Sequence, residues 1–292
     1  MRSTRRPASP VAVTLVDACV RDDGRGGSPT AVLGEDATFS DEQRRRIPGL
    51  VGTSHAVFVA TAADVTSLRF FTAEGELPAC GHGTVAALAY NAGTTRRNRT
   101  LRTAGSHSIP AWTHPRDLLV AAEFEAGRVA LREPSSAELA QVLAALGLAP
   151  EASGACVATL GRPRLLLPVP GRAQLSALTP DFTALEAACR QLGLLGCYLY
   201  TGGEQRFAAR MFAPAIGVPE DIANANSTAC LAAWLHAGTA DCRSIAVDMG
   251  DQLGSPATIT ATVADTPEVG EPVVHVGGLA RVRRTVLLDL PA

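Results

Sequence analysis

The two halves of the chain carry the same pattern: a strand, an acidic turn, and a helix that begins with small residues. The first copy has its strand at residues 69–73 and its helix at 84–91. The second has its strand at 210–214 and its helix at 227–236. The copies lie about 141 to 145 residues apart. A repeat of this length indicates an internal duplication that gives two similar domains facing each other.

Predicted strands dominate both halves, each with one or two helices. A first helix begins at Ser40, which forms a capping box with Gln43, and ends at Pro48-Gly49. The last segment, residues 273–290, is predicted as two strands around Gly277-Gly278. This pattern favours an α+β fold in which each domain is an antiparallel sheet wrapped on a helix.

The boundary between the domains is predicted near residues 128–135, before a new helix at 136–146. We therefore expect an N-terminal domain over 8–127 and a C-terminal domain over 128–277. Residues 278–292 are expected to form a closing strand that folds back onto either domain, with the N-terminal domain as the favoured one.

Composition excludes several classes of function. The formal charge is −2, so nucleic acid is not an expected partner, because phosphate backbones are bound by clustered cations. All 26 basic residues are Arg. Without lysine, the chain has neither a Schiff-base residue for pyridoxal chemistry nor a Walker-A residue for a P-loop nucleotidase. Apolar runs are too short for a membrane span.

The seven cysteines are scattered and include no C-x-x-C pair, which fits a reducing cytoplasm better than a disulfide framework. The N-terminal apolar stretch is too short for a signal peptide. We therefore predict a cytoplasmic location. Apart from His55 and His82, the histidines share no regular spacing in the sequence. The sequence therefore predicts neither a metal site nor a cofactor.

The main candidate for chemistry is the helix start Cys80-Gly81-His82-Gly83-Thr84. Its unpaired backbone N–H groups would form an anion site, and its two glycines would let a carboxylate approach closely. Cys80 sits where the helix dipole favours a thiolate, which suits proton abstraction next to that carboxylate. The alternative is a buried cysteine before a glycine-rich cap.

Residues 81–86 also match the dinucleotide pattern G-x-G-x-x-A. Their context argues against it, because Pro78 precedes the loop where an apolar strand should end. No acidic residue for a ribose lies between Asn91 and Arg116.

Two further positions are candidates. In the second half, Asp221 precedes the small polar residues of another helix start. Its candidate roles are to orient a histidine or to protonate a substrate, and the alternative is a structural role in the helix cap or turn. In the first half, His55 lies at a strand start, where it is either catalytic or structural.

The chain resembles the PhzF family, the phenazine-biosynthesis isomerases, within the superfamily of diaminopimelate epimerase and proline racemase. Residues 76–82 resemble the family's E-L-P-x-x-G-H motif, and residues 217–221 its second acidic motif. Residues 27–32 resemble its Gly-Asn-Pro turn, which places Ser28 among the expected substrate-binding residues. Residues 254–256 and 276–278 resemble its closing strands.

The resemblance implies two similar domains, each a sheet or barrel around a central helix, with the active site in the cleft between them. It implies a cofactor-free isomerisation of a small carboxylated substrate and a homodimer. His82 and Asp221 would position the substrate. Backbone amides of the two helix starts would bind its carboxylate and stabilise an enolate. The expected substrate-binding residues at these starts are Gly81, Gly83, Thr84, Ala225, Asn226 and Ser227.

Two positions depart from the family pattern. His55 stands where PhzF enzymes carry a catalytic Glu, and Cys80 stands where racemases carry one of two thiols. The second thiol is missing, since its position falls near Asn224. We therefore expect His55 to be the general base, with the ordinary imidazole pKa of about 6.5. Cys80 is expected to be a second acid–base or to lie close to the migrating carbon.

The expected reaction is double-bond migration on a small amino or imino acid in specialised metabolism, such as a pyrroline carboxylate of alkylproline antibiotic biosynthesis. Two alternatives remain open: an amino-acid racemase or epimerase, and a binding protein without catalysis.

Overall fold

The structure is a computed structural model that describes residues 10–62, 65–92, 97–103, 108–149, 153–264 and 271–290, with only the backbone at Arg97. The chain falls into two units. The first contains the residues up to 18, residues 29–122 and the residues from 280 onward. The second contains residues 19–28 and 123–279. The chain therefore passes between the units within strands rather than through a separate linker.

The first part of the chain forms eight strands and two helices within the described residues. They are β1 (Val11–Val20), β2 (Ser28–Gly34), α1 (Asp41–Val51), β3 (His55–Ala62), β4 (Val65–Phe71), β5 (Glu76–Leu77), α2 (Gly81–Tyr90), β6 (Arg97–Arg102), β7 (Ser108–Arg116) and β8 (Leu119–Arg128).

The second part forms nine strands and four helices within the described residues. They are β9 (Ala130–Arg132), α3 (Ser136–Leu146), β10 (Cys156–Leu160), β11 (Arg162–Pro168), α4 (Arg172–Ala177), α5 (Phe182–Leu192), β12 (Cys197–Gly203), β13 (Arg206–Ala213), β14 (Val218–Asp221), α6 (Ala225–Gly238), β15 (Ser244–Met249), β16 (Ala257–Val263) and β17 (Val273–Leu288).

Strand pairing repeats between the units. In the first, β2 pairs parallel with β3, β3 antiparallel with β4, and β4 antiparallel with β5 and parallel with β6, which pairs antiparallel with β7. In the second, β11 pairs parallel with β12, and β12 antiparallel with β13. β13 pairs antiparallel with β14 and parallel with β15, which pairs antiparallel with β16. The duplication predicted from sequence is confirmed at this level. The parallel pairs show that the sheets are mixed, not purely antiparallel as expected.

One helix in each unit is buried along most of its length. In α2 every residue from His82 to Ala89 is buried, and it contacts β3, β4 and β7. In α6 the residues from Ser227 to Ala233 are buried, and the helix contacts β10, β15 and β16. A helix buried on all faces needs small and apolar residues all round, which explains the alanine-rich composition of both segments. The α+β class with a central helix is confirmed.

An ion pair fixes the strand that precedes each central helix. Arg69 on β4 donates to both carboxylate oxygens of Glu76, at 2.8 and 2.7 Å. Arg210 on β13 does the same to Glu220, at 2.8 and 2.8 Å. Each guanidinium also lies over the phenylalanine two residues further on, at 5.0 and 4.7 Å. The repeat therefore extends from strand pairing to side-chain contacts.

The first helix ends later than the sequence predicts. The capping box of Ser40 and Gln43 is present, but α1 runs through Pro48 and ends at Gly52, which adopts the left-handed conformation. The prediction that Pro48-Gly49 ends the helix is wrong. The carbonyl of Pro48 accepts the N–H of Thr53 at 2.9 Å, so this residue contributes to the C-terminal cap.

The closing segment is one strand, not two. Gly277 pairs with Thr260 inside β17. A Cβ built on Gly278 would lie 3.1 Å from the carbonyl oxygen of Thr258 and 3.3 Å from the Cα of Cys19. These glycines therefore permit close approach of neighbouring strands, and the predicted turn is wrong. The later part of β17 belongs to the first unit, where Arg281 donates to Asp17 at 2.8 Å.

The helix content of the second unit was underestimated. Instead of one or two helices it has four within the described residues, and α5 packs in the core beside α3. Asp181 caps α5 and Gly193 ends it, both ordinary helix boundary signals that the sequence reading missed. None of the described helices is long and apolar enough to span a membrane.

Candidate active site

Three of the predicted catalytic side chains come together in the first unit. His55 is the first residue of β3, Cys80 is the N-cap of α2, and His82 lies in the first turn of that helix. All three are buried, with 8%, 7% and 3% exposure. The parallel pairing of His55 with Thr30 fixes the strand end beside the helix start. The sequence separates His55 from Cys80 by 25 residues, so only the fold reveals this cluster.

The distances within the cluster permit direct interaction. The imidazole rings of His55 and His82 meet edge to face, with centroids 4.5 Å apart. The thiol Sγ of Cys80 lies 3.5 Å from Nε2 of His82. The potential ligand atoms of the three residues all lie within 4.8 Å of one another. A thiol and two imidazoles at these distances can exchange protons with one small molecule or coordinate one metal ion.

Burial makes His55 a weak base in the absence of a ligand. Its pKa falls from 6.5 to about 3, first because burial disfavours the charged imidazolium and second because His82 lies beside it. The sequence-based expectation of an ordinary pKa is therefore wrong. The ring is neutral at pH 7, and Nδ1 is 2.8 Å from the hydroxyl of Ser54. Ser54 is a polar partner that the sequence reading did not single out.

The start of α2 is built around Cys80. Both the amide and the hydroxyl of Thr84 donate to the carbonyl oxygen of Cys80, each at 2.9 Å. These donors are engaged within the helix in this structure, and the substrate-binding role of Thr84 stays a prediction. The amides of Gly81 and Gly83 precede the first bond of the helix, as an anion site requires. A Cβ on Gly83 would meet the Cys80 thiol at 3.0 Å.

At the equivalent helix start in the second unit, the N-cap side chain makes an ordinary capping hydrogen bond. Asn224 is the N-cap of α6, and its side-chain oxygen accepts the amide of Ser227 at 2.9 Å. Thr228 donates its amide and hydroxyl to the carbonyl of Asn224, as Thr84 does to Cys80. Asn224 therefore occupies the position of Cys80. The Ser227 amide is engaged in this cap and its side chain is buried, and its role in substrate binding stays a prediction.

The other predicted residues of the second unit surround this cap. Asp221 ends β14 and accepts hydrogen bonds from the amide of Ala223 at 3.3 Å and from the side chain of Asn224 at 3.0 Å. These bonds hold the turn that leads into α6. Ala225 and Asn226 are the first two residues of the helix, and their amides precede its first internal bond. Ser28 is buried at the start of β2.

The sequence does not predict the buried arginine that lies near the start of α6. Arg164 on β11 is 1% exposed, and one of its terminal nitrogens donates to the hydroxyl of Ser227 at 3.4 Å. The other donates to the carbonyls of Leu160 and Arg162. The sequence signal that could have identified it is an arginine directly before the apolar run Leu165-Leu166-Leu167. Its guanidinium therefore contacts the third residue of α6 through the Ser227 hydroxyl.

Comparison with known proteins gives a consistent result. The chain matches the phenazine biosynthesis-like protein family, PhzC-PhzF, over residues 16–285. It is 30% identical over 265 residues to the uncharacterized isomerase YddE of Salmonella typhimurium, with 85% of this chain and 88% of the relative covered. It is 29% identical over 242 residues to the trans-2,3-dihydro-3-hydroxyanthranilate isomerase of Pseudomonas aeruginosa, with 80% and 84% covered.

The fold comparison extends over the same length. A PhzF-family protein of Bacillus anthracis superposes with a TM-score of 0.80 at 16% identity, covering 96% of this chain and 99% of that one. The likeness therefore spans both units and both central helices. A match of this extent, with relatives that are named as isomerases, shows that the chain belongs to the PhzF family and is an isomerase.

Proposed function

We propose that this isomerase works without a cofactor and moves a proton, and with it a double bond, on a small amino or imino acid. The observation that carries the proposal is the buried cluster of His55, Cys80 and His82. A thiol and an imidazole can accept and return protons near neutral pH when a bound ligand supplies a suitable charge beside them. The chain lacks the lysine that pyridoxal chemistry would need.

The low pKa of His55 makes proton transfer depend on the ligand. An imidazolium is unfavourable in the buried cluster while no negative charge is present. A bound carboxylate, and the enolate that forms from it, supplies that negative charge beside the ring. His55 then takes the proton from carbon and becomes a cation paired with the enolate, and it returns to neutrality when the proton is delivered to another carbon.

The remaining groups have supporting roles in this proposal. Cys80 is the second acid–base, and His82, which lies 3.5 Å from its sulfur, orients the thiol. The amides of Gly81 and Gly83 bind one end of the substrate carboxylate or enolate. Ala225 and Asn226 amides, with Asp221, are proposed to contribute further substrate contacts. Within the substrate class, an unsaturated pyrroline carboxylate of alkylproline biosynthesis is the narrower proposal.

A single thiol favours double-bond migration over racemisation. Racemases of the superfamily that the sequence resembles use two thiols on opposite faces of one carbon. Here the position equivalent to Cys80 is Asn224, whose amide group caps a helix and is not an acid–base. Migration needs only that one base carries the proton between neighbouring carbons.

A substrate screen in D₂O tests the function. The purified protein, treated with EDTA, is incubated with small unsaturated amino and imino acids and with proline-type amino acids. Proton NMR follows the alkene signals, and chiral analysis follows the stereocentre. We expect double-bond migration that EDTA does not prevent. Epimerisation without migration would overturn the proposal in favour of a racemase. Binding without any exchange would overturn it in favour of a binding protein.

A further inference from the structure

The candidate active site also has the composition of a metal site. It offers one thiol and two imidazoles, and none of its three side chains is a carboxylate. Magnesium and calcium prefer oxygen ligands, whereas zinc prefers sulfur and nitrogen. Zinc sites with three protein ligands leave a fourth position open for water or another molecule.

The geometry of the cluster agrees with a tetrahedral ion. With Zn–S near 2.3 Å and Zn–N near 2.1 Å, two ligand atoms of one ion lie roughly 3.5 Å apart. The Cys80 sulfur and Nε2 of His82 are separated by 3.5 Å. All the potential ligand atoms lie within 4.8 Å of one another, so small side-chain rotations would complete the site.

Neighbouring residues hold the ligands in place. The hydroxyl of Ser54 contacts Nδ1 of His55 at 2.8 Å, which leaves Nε2 to face a metal and supplies the outer hydrogen bond typical of zinc-bound histidine. Two ligands come from one helix start and the third from the start of a strand. Gly83 packs against the sulfur of Cys80, so the thiol has little room to turn away.

We propose that His55, Cys80 and His82 bind one zinc ion with an open fourth position, and that zinc bound there inhibits the isomerase. On binding, the thiol of Cys80 releases its proton to solvent and the thiolate coordinates the ion. Inhibition rests on the proposed function, because the ion occupies the groups that would carry the proton. The binding itself does not rest on it.

Cobalt reports on the binding directly. The EDTA-stripped full-length protein is titrated with Co²⁺, and the thiolate-to-cobalt charge-transfer band is followed; Zn²⁺ is then added as a competitor. We expect one equivalent of Co²⁺, displaced by one equivalent of Zn²⁺. Cys80→Ser should lose the band, and His82→Gln should weaken binding by at least about tenfold. Cys242→Ser, at a partly exposed thiol outside the cluster, is the matched control and should keep the band.

The outcomes separate the metal site from the function. Equal metal binding by the parent and Cys80→Ser, with both folded by circular dichroism, would overturn the site. If a substrate is isomerised but no metal binds, the function stands and this inference fails. If metal binds through Cys80 but nothing is isomerised, the site stands and the proposed function fails. With an active substrate, Zn²⁺ should abolish turnover and EDTA restore it; activation by Zn²⁺ would overturn the inhibitory role.

Discussion

The two central helices begin with the same backbone hydrogen-bond pattern but with different N-cap residues. At the start of α6, Asn224 caps the helix through its side chain, and Asp221 holds the turn before it. At the start of α2, Cys80 makes no capping bond with its side chain and instead directs its sulfur to His82. A good cap contributes about 1 kcal/mol. The first unit forgoes this stabilisation at the position where chemistry is proposed, a pattern typical of functional sites.

The ion pairs that precede the two helices differ in burial, which predicts the largest difference in stability. The side chains of Arg210 and Glu220 are 11% and 9% exposed, whereas those of Arg69 and Glu76 are 34% and 31% exposed. Glu220→Ala should lower the free energy of unfolding by about 3 kcal/mol, because it removes the counter-ion of a buried guanidinium and leaves it only backbone carbonyls as partners. Glu76→Ala should cost no more than about 1 kcal/mol. Urea unfolding of both variants checks this; equal losses would contradict the comparison.

The third residue of the central helix differs between the two units, and so does the space around it. A methyl group at Gly83 would lie 3.0 Å from the Cys80 sulfur and 3.1 Å from Phe70 and Val57, whereas the second unit accommodates Ser227 there. Gly83→Ala should therefore destabilise the fold by about 1 to 3 kcal/mol.

Gly49 provides the control for that substitution. It lies inside α1 with no atom within 4 Å of a built Cβ, so Gly49→Ala should be neutral or stabilising by up to about 1 kcal/mol. Thermal unfolding of both variants gives the comparison. A Gly83→Ala protein as stable as Gly49→Ala would show that the thiol is not confined.

The pH dependence of stability should originate in part at His55, the first residue of β3. The pKa of His55 is about 3 in the folded chain and about 6.5 unfolded. Between these values the unfolded chain binds a proton that the folded chain does not, so stability falls as pH falls through this window. From pH 7 to pH 5 the parent should lose roughly 2 kcal/mol more than His55→Gln. Parallel urea titrations at the two pH values would disprove this if both proteins lost the same amount.

Substitutions at the two N-caps should have opposite effects. Asn224→Ala should lower stability by about 1 kcal/mol, because it removes the acceptor of the Ser227 amide. Cys80→Ser should raise stability by a few tenths to about 1 kcal/mol, because serine is a preferred cap, while it lowers turnover. Thermal unfolding and turnover are measured together. A Cys80→Ser variant that loses stability without losing turnover would identify the cysteine as a packing residue only.

The sequence predicted the elements that rest on local signals. The capping box of Ser40 and Gln43, the helix Ser136–Leu146 and the strand–helix repeat are all present, because caps and periodicity act over a few residues. The boundary signals of α5 are equally local but did not enter the prediction. The closing strand was mispredicted for a different reason, because a distant contact overrides the local signal. Gly277 and Gly278 looked like a turn, but neighbouring strands require their small size.

The candidate site was predictable only in part. The repeat and the glycine-rich motif pointed to Cys80 and His82, and the family resemblance pointed to His55. Their proximity, the contact with Ser54 and the low pKa of His55 depend on strand pairing and burial, which sequence spacing does not encode. Likewise, the hydrogen bonds that commit Thr84 and Ser227 to helix caps follow from backbone geometry.

The central claim is that His55 in the first unit performs the proton transfer, and one measurement addresses it directly. Turnover and deuterium incorporation from D₂O are compared for the parent, His55→Ala, His55→Glu and His236→Ala, the last being a histidine at the far end of α6. We predict that His55→Ala lowers turnover by about two to four orders of magnitude with little change in substrate binding. His55→Glu should retain more activity, and His236→Ala should match the parent. Parent-like turnover and deuterium incorporation in His55→Ala would contradict the account.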